Sequence, residues 1–334
     1  MDWAVILEWV IKSVILLAVL VTGFAYTTFY ERRLLARIQV RVGPNRAGPF
    51  GFLQPAADGI KLIFKEELIP AAAYKTIFIL APILTVLPAL VITAVVPWGG
   101  SIELFGRAIP MSISDINVGI LYILSVASIS VYGIVLAGWS SNNKYAMLGG
   151  LRSSAQMLSY ELALGLAFVG PMLIAGSMSL TEIVDAQRGI WFIVYQPLGA
   201  FIFYVSMLAE VNRAPFDMPE AEQELTAGYH TEYSGMKFAL FFMGEYIKMI
   251  AVSAIFASLF LGGYRGPFVE QFPLLGPLYL LTKIAASLGI MIWIRATLPR
   301  LRYDRLMAFG WKVLLPLSLL NIFLTAVVIV LLDL

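Results

Sequence analysis

The sequence predicts an all-α polytopic membrane protein, with eight transmembrane helices and amphipathic helices in its cytoplasmic loops. Three observations predict it. Of the 334 residues, 60% are hydrophobic and only 13% are charged, against about 25% charged in an ordinary soluble domain. Apolar runs of about 20 residues, the length that crosses a bilayer core as helix, recur along the chain. The loops between them also differ in charge, since 29–75, 139–154, 213–237 and 295–312 hold 17 of the 23 Lys and Arg residues. The positive-inside rule puts that side in the cytoplasm and both termini outside. One integral-membrane domain, 1–334, accounts for the whole. No internal repeat and no matched pair of broken spans, the mark of many autonomous transporters, is visible.

The runs lie near 5–28, 76–97, 116–138, 155–176, 190–212, 236–262, 274–298 and 311–332. The first is too long for a signal peptide and lacks a small-residue cleavage site, so it reads as a retained helix. Its Glu8 and Lys12 are spaced to pair on one helix face. In "ERRLLARIQVRV" (31–42), Leu34, Leu35, Ile38 and Val42 fall at helical spacing, with Arg33, Arg37 and Arg41 on another face. Such a stretch lies at the membrane interface. "VGPNRAGPFG" (42–51) breaks it with Gly and Pro. "LQPAADGIKLIFKEEL" (53–68) is again amphipathic, with Ile60, Ile63 and Phe64 opposite Asp58, Lys61 and Lys65. A basic anchor on anionic lipid is its plain reading.

Composition excludes several chemistries. Without cysteine there is no disulfide and no thiolate-held zinc or iron–sulfur cluster. The single histidine, His230, cannot supply the axial pair of a haem and reads as a hydrogen-bonded loop residue. No Walker loop and no GxGxxG after a strand occurs. Any electrons therefore travel on cofactors held by other proteins. The net charge of +2 gives no reason to expect nucleic acid.

Ionisable groups inside spans are costly and mark function by default. Glu161 is the only charge in its span. Glu245 and Lys248, three apart, are spaced to pair. Lys283 and Arg295 in the seventh span are read as paired or snorkelling. The acids cluster in "RAPFDMPEAEQEL" (213–225), where Asp217 and Glu220 fit a capping box with Pro219 in the first turn, and Gly228 would stop the helix. Capping leaves Glu210, Glu222, Glu224 and Glu232 unexplained, and a solvated charged face is their plain reading.

Four stretches then carry a resemblance: "RIQVRVGPNRAGPFGFLQPAADGIKLIFKE" (37–66), "GWSSNNKYAMLGGLRSSAQMLSYE" (138–161), "RAPFDMPEAEQELTAGYHTEYSGMKFALFFMGEY" (213–246) and "IRATLPRLRYDRLMAFGWKVLLP" (294–316). They resemble the quinone-site membrane subunit of respiratory complex I, the bacterial NADH:quinone oxidoreductase, in order over nearly the whole chain. The resemblance implies a translocase subunit of the bacterial inner membrane with no activity of its own. It implies quinone as substrate, no cofactor or metal on this chain, and flavin and iron–sulfur clusters in partner subunits. The implied partners are the hydrophilic quinone-module subunits, small membrane subunits and lipid. A proton relay or acidic funnel carries over as Glu161, Glu210, Asp217, Glu220, Glu222, Glu224, Glu232 and Glu245. Arg32, Arg33, Arg37, Arg41, Arg46, Asp58, Arg213 and Arg295 match positions near the quinone cavity. Some members add an acid midway through the third span; here "LSVASISVYG" (124–133) is uncharged, which leaves Ser125, Ser128, Ser130, Tyr132 or water for any path there. The alternative is the related coupling subunit of a membrane-bound hydrogenase or formate-hydrogenlyase complex.

Overall fold

The computed structural model describes residues 3–104, 107–218 and 228–332. Its first helix, α1 (Trp3–Ile38), has 36 residues, about 54 Å at 1.5 Å per residue, and overshoots a hydrocarbon core of about 30 Å. The hydroxyls of Thr22, Thr27 and Thr28 bond back to carbonyls of their own helix, so they need no partner in lipid. Among its described residues Leu20, Thr27, Phe29, Glu31 and Ala36 are buried, and most of the remaining surface is open. Past α1 the chain turns through Gly51 at φ +79, where a Cβ would stand 2.3 Å from the Pro44 carbonyl oxygen. Only glycine fits there. Helix α2 (Gln54–Ile63) follows, with Pro55 in its first turn and no buried residue. It lies beside α1 as the amphipathic segment expected.

Helices α3 (Lys75–Ile92) and α4 (Gly119–Ser140) pack as an antiparallel pair. Their close approach is set by Gly133, whose Cβ would meet Thr85 N at 2.9 Å and Ala81 O at 3.0 Å. Between them, on the side away from the basic loops, β1 (Ser101–Leu104) and β2 (Arg107–Pro110) form an antiparallel hairpin with Ser101 opposite Pro110. Helix α5 (Lys144–Ala175) starts at Asn143, whose side chain accepts from Tyr145 N, and ends at Gly176 in the left-handed region. Helix α6 (Leu180–Ala186) is capped by Ser179, which accepts from Glu182 N.

The fifth apolar run does not cross as one helix. It divides into α7 (Phe192–Tyr195) and α8 (Pro197–Glu210), the latter of 14 residues. The break falls at Gln196–Pro197, where proline lacks the N–H that a continuing helix would donate. Among the described residues, seven helices are thus long and apolar enough to span a membrane, and α8 is a shorter apolar helix. Helices α9 (Gly235–Phe260), α10 (Leu275–Thr297), α11 (Tyr303–Phe309) and α12 (Leu315–Leu332) complete the bundle, α11 and α12 being joined by a π turn at Gly310–Leu314. Helix α9 occupies the centre, against α1, α3, α8 and α10. Every residue from Tyr246 to Phe260 is buried. Any charge on that stretch must find its partner inside the protein.

Candidate functional site

Glu31 lies at the basic-loop end of α1 and is 3% exposed. Arg295 of α10 pairs with its Oε1, and Arg213, just past α8, approaches the same oxygen at 3.4 Å. Tyr246 of α9 donates to Glu31 Oε2 at 2.7 Å. The Arg213 guanidinium lies 4.5 Å from the Tyr246 ring centroid, and its Nε stands 2.8 Å from Glu245 Oε1. Five side chains from four parts of the chain therefore converge, with charges alternating in sign. Burying ions this deeply is tolerable only when each is paired.

One turn further along α9, Lys248 donates to Glu210 Oε1 at 2.6 Å and to Ser130 Oγ of α4 at 3.1 Å. This corrects the pairing expected from spacing: Lys248 serves Glu210, while Glu245 serves Arg213. Tertiary packing overrides an (i, i+3) bond because the stretch of α9 from Tyr246 onward is buried all round and can reach acids on other elements. Glu161 of α5 accepts from Ser128 Oγ of α4; among the described residues no cation lies within ion-pair reach of it. The uncharged third span thus still meets the network through two serines, Ser128 and Ser130.

The chain after α8 is held by Gln156, whose Nε2 donates to Ala209 O, Asn212 Oδ1 and Phe216 O at 2.9, 3.2 and 2.6 Å. This fixes Asp217, which pairs with Arg300 at 3.2 Å. A void of about 10 Å³ bounded by Asp217, His230 and Glu245 has room for a single water. His230 is buried among the rings of Tyr229, Phe238 and Phe242. Glu232 accepts from Asn143 Nδ2 at 2.6 Å. Burial pushes the Tyr233 phenol up to about 12, so it stays protonated and donates to Phe78 O at 3.2 Å. Glu220, Glu222 and Glu224 lie outside the described residues.

Beside the network, a cleft of about 360 Å³ opens between α1, α2 and α9. Phe24, Ala25, Leu62, Ile63, Phe242 and Met243 give it apolar walls, and Arg32, Asp58 and Lys61 give it a polar rim. Arg32 bonds Asp58 at 2.7 Å across it. Of the other first-loop cations, Arg33 donates to Phe50 O and Pro44 O, holding the Gly-Pro turn. Arg37, Arg41 and Arg46 are exposed and do not line the cleft. Tyr246 belongs both to the cleft wall and to the Glu31 cluster.

Three participants are not singled out by the sequence. Glu31 is hidden in an arginine-rich run; its one signal is being the acid at the end of a long apolar span. Tyr246 and Arg300 carry no signal until the fold brings them to Glu31 and Asp217. Lys283 meets carbonyls rather than an acid among the described residues: its Nζ donates to the Leu261, Gly263 and Arg265 carbonyls at 2.7, 2.7 and 2.8 Å, capping the end of α9.

A bundle of apolar helices enclosing a sign-alternating ion network beside an amphiphilic cleft defines a class: a polytopic membrane protein that holds paired charges among its helices. The particular family is shown by comparison. The sequence profile of the NADH dehydrogenase family matches residues 11–326, and the chain belongs to that family. It is 52% identical over 320 residues to the NADH-quinone oxidoreductase H-subunit 1 of Geobacter metallireducens, covering 96% of each chain. It is 52% identical to the H-subunit 2 of Geobacter sulfurreducens, over 94% of each. To the H-subunit of Thermomicrobium roseum it is 50% identical over 98% of each.

Proposed function

We propose that the chain is the quinone-cavity and coupling subunit of an NADH-quinone oxidoreductase. In this reading it has no activity alone, sits in a bacterial inner membrane with both termini outside, and docks proteins that carry the flavin and iron–sulfur clusters. The observation that carries the reading is Tyr246. Its ring forms part of the cleft wall while its hydroxyl bonds Glu31, so a change at the cleft is felt directly by the ion network. The names of the relatives support quinone as substrate, and the cleft has the apolar walls and polar rim that suit an isoprenoid molecule with a polar head.

Reducing a quinone to a quinol consumes two electrons and two protons. The electrons come from partner subunits. Arg32, Asp58 and Lys61 orient the head at the rim, and Glu31, Arg213, Glu245 and Arg295 respond to the charge that arrives. Glu210 and Glu161 carry the response into the membrane, with Asp217, Glu232 and the acids Glu220, Glu222 and Glu224 at its mouth. The test is Tyr246→Phe in the whole complex in proteoliposomes, which keeps the ring and removes the bond to Glu31. Quinone reduction should persist with fewer protons moved per electron. An unchanged proton-to-electron ratio, with the variant fully assembled, sinks this reading of Tyr246.

A further inference from the structure

At the end of the bundle away from the basic loops, three stretches enclose a cavity of about 680 Å³. They are Gly100 and Ser101 at the entry to β1, residues 187–191 between α6 and α7, and residues 264–273 between α9 and α10. Ligand sites typically measure about 300–1,000 Å³. The walls are tied to one another. Gln187 Oε1 accepts from Phe192 N at 3.2 Å and Gly262 N at 2.9 Å, and its Nε2 donates to Ser258 O at 2.8 Å. Trp191 packs against Gly262, at φ +71, where a Cβ would stand 3.0 Å from the indole. Lys283 Nζ, which gathers the Leu261, Gly263 and Arg265 carbonyls, lies 4.9 Å from the Trp191 ring centroid.

Cations are concentrated here. Outside the four basic loops only six of the 23 Lys and Arg residues remain. Three of the six meet at this cavity: Arg188 and Arg265 line it, and Lys283 stands behind its Trp191 wall. Arg265 is taken by Asp185. Arg188 and Glu270 are different. Both are exposed and both line the cavity, yet among the described residues neither has an ion pair or a side-chain hydrogen bond, with each other or with any other group. The Trp191 N–H also lines it without a hydrogen-bonding partner.

Apolar side chains around the cavity set its level. Trp191 and Phe268 in the wall are exposed, as are Phe272 and Leu274 on either side of the lining Pro273, although all four sit on or beside connections. Aromatic rings at the ends of membrane helices mark the headgroup zone of the bilayer. Phe268 holds a backbone φ of +61, a region that bulky side chains rarely adopt.

One unpaired cation and one unpaired anion on a single cavity suit a ligand that carries both charges. We propose that this cavity binds the headgroup of a zwitterionic phospholipid with a primary ammonium. Its phosphate meets Arg188 and the Trp191 N–H, its ammonium meets Glu270, and its acyl chains pass out over Phe268 and Phe272. Guanidinium and phosphate pair through two parallel hydrogen bonds, and a primary ammonium offers three donors to a carboxylate. An anionic lipid would meet Glu270 as a like charge. A soluble phosphoamine would leave the exposed rings uncovered. The site stands at the opposite end of the bundle from the quinone cleft, so its failure leaves the reading of that cleft untouched.

The test is photolabelling of the whole complex in detergent with a phosphatidylethanolamine whose acyl chain carries a diazirine, followed by peptide mapping. Label should fall on residues 264–274. Excess unlabelled phosphatidylethanolamine should reduce it several-fold more than the same amount of phosphatidylglycerol. Glycerophosphoethanolamine, the headgroup without chains, should leave it unchanged. Arg188→Gln and Glu270→Gln should each lower labelling several-fold, with assembly at the wild-type level because both side chains are exposed. Equal competition by phosphatidylglycerol overturns the proposal, as does competition by the free headgroup or full labelling in both variants. Absence of label from this segment, as when a protein subunit covers it, overturns the proposal too. If a variant fails to assemble, the competition series on the wild-type complex decides.

Discussion

Lys248 and Glu210 form a pair in which both partners are buried. Removing one leaves the other charged and unpartnered, which costs about 3–5 kcal/mol, whereas removing both is often nearly neutral. Lys248→Met should therefore lower the yield of assembled complex sharply, and Lys248→Met with Glu210→Gln should recover most of it. Yield on blue-native gels checks this; equal loss in both variants would mean that the pair is not what stabilises this region. Glu161 faces the opposite situation, with a serine hydroxyl as its partner. Glu161→Gln retains that hydrogen bond and deletes the exchangeable proton. An acid–base group in a transfer step is worth on the order of 10²-fold or more, so proton movement should fall at least that steeply while assembly stays normal. Dye quenching during NADH oxidation gives the result, and unaltered pumping would remove Glu161 from the path.

Among elements, α2 is the one held most lightly. It buries no residue, and Arg32–Asp58, its tie to α1, is half exposed on the arginine side. Such a bond contributes about 0–1 kcal/mol. Asp58→Asn should therefore leave assembly untouched yet raise the KM for quinone, because α2 forms one wall of the cleft. A normal KM would detach this wall from quinone access. The α3–α4 contact is the contrary case. Gly133→Val would press a side chain into the backbone of α3, and overpacking costs about 1–3 kcal/mol even where neighbours can move. The yield of assembled complex should drop, and an unchanged yield would mean that α3 and α4 can separate without loss.

At this scale the sequence is largely readable. Apolar length and flanking arginines locate every long helix, since the bilayer demands both. The fifth run reads as one span because Gln196–Pro197 sits among apolar residues, and hydropathy does not register a missing N–H. The pairing of Lys248 is hidden for a related reason. Spacing along one helix is visible in sequence, whereas Glu210 reaches Lys248 only once α8 is shortened and laid antiparallel to α9. Glu31 shows the same limit, because its partners Arg213 and Arg295 lie 182 and 264 residues away.

For the whole molecule, the charge asymmetry of the loops predicts which surface faces which compartment. The chain contains no cysteine, so single cysteines report their side cleanly. Asn45→Cys should react with a membrane-impermeant maleimide only from the cytoplasmic side, and Gly189→Cys only from the outer side. The reverse pattern in intact cells would invert the topology and with it the direction of the proton path.

The length of α1 has one more consequence, and it concerns phase. A single uninterrupted helix runs from Trp3 to Glu31 and on to Ile38, so the azimuth of Glu31 is set by every residue before it that is gripped by α9 and α10. One residue inserted near Ala25 would rotate Glu31 by about 100° away from Arg213, Tyr246 and Arg295, while four would bring it back to within about 40°. Hydropathy would barely notice either change. The network has thus tied an arbitrary-looking stretch of lipid-facing sequence to an angular tolerance, and its length there is constrained as strictly as its composition is free.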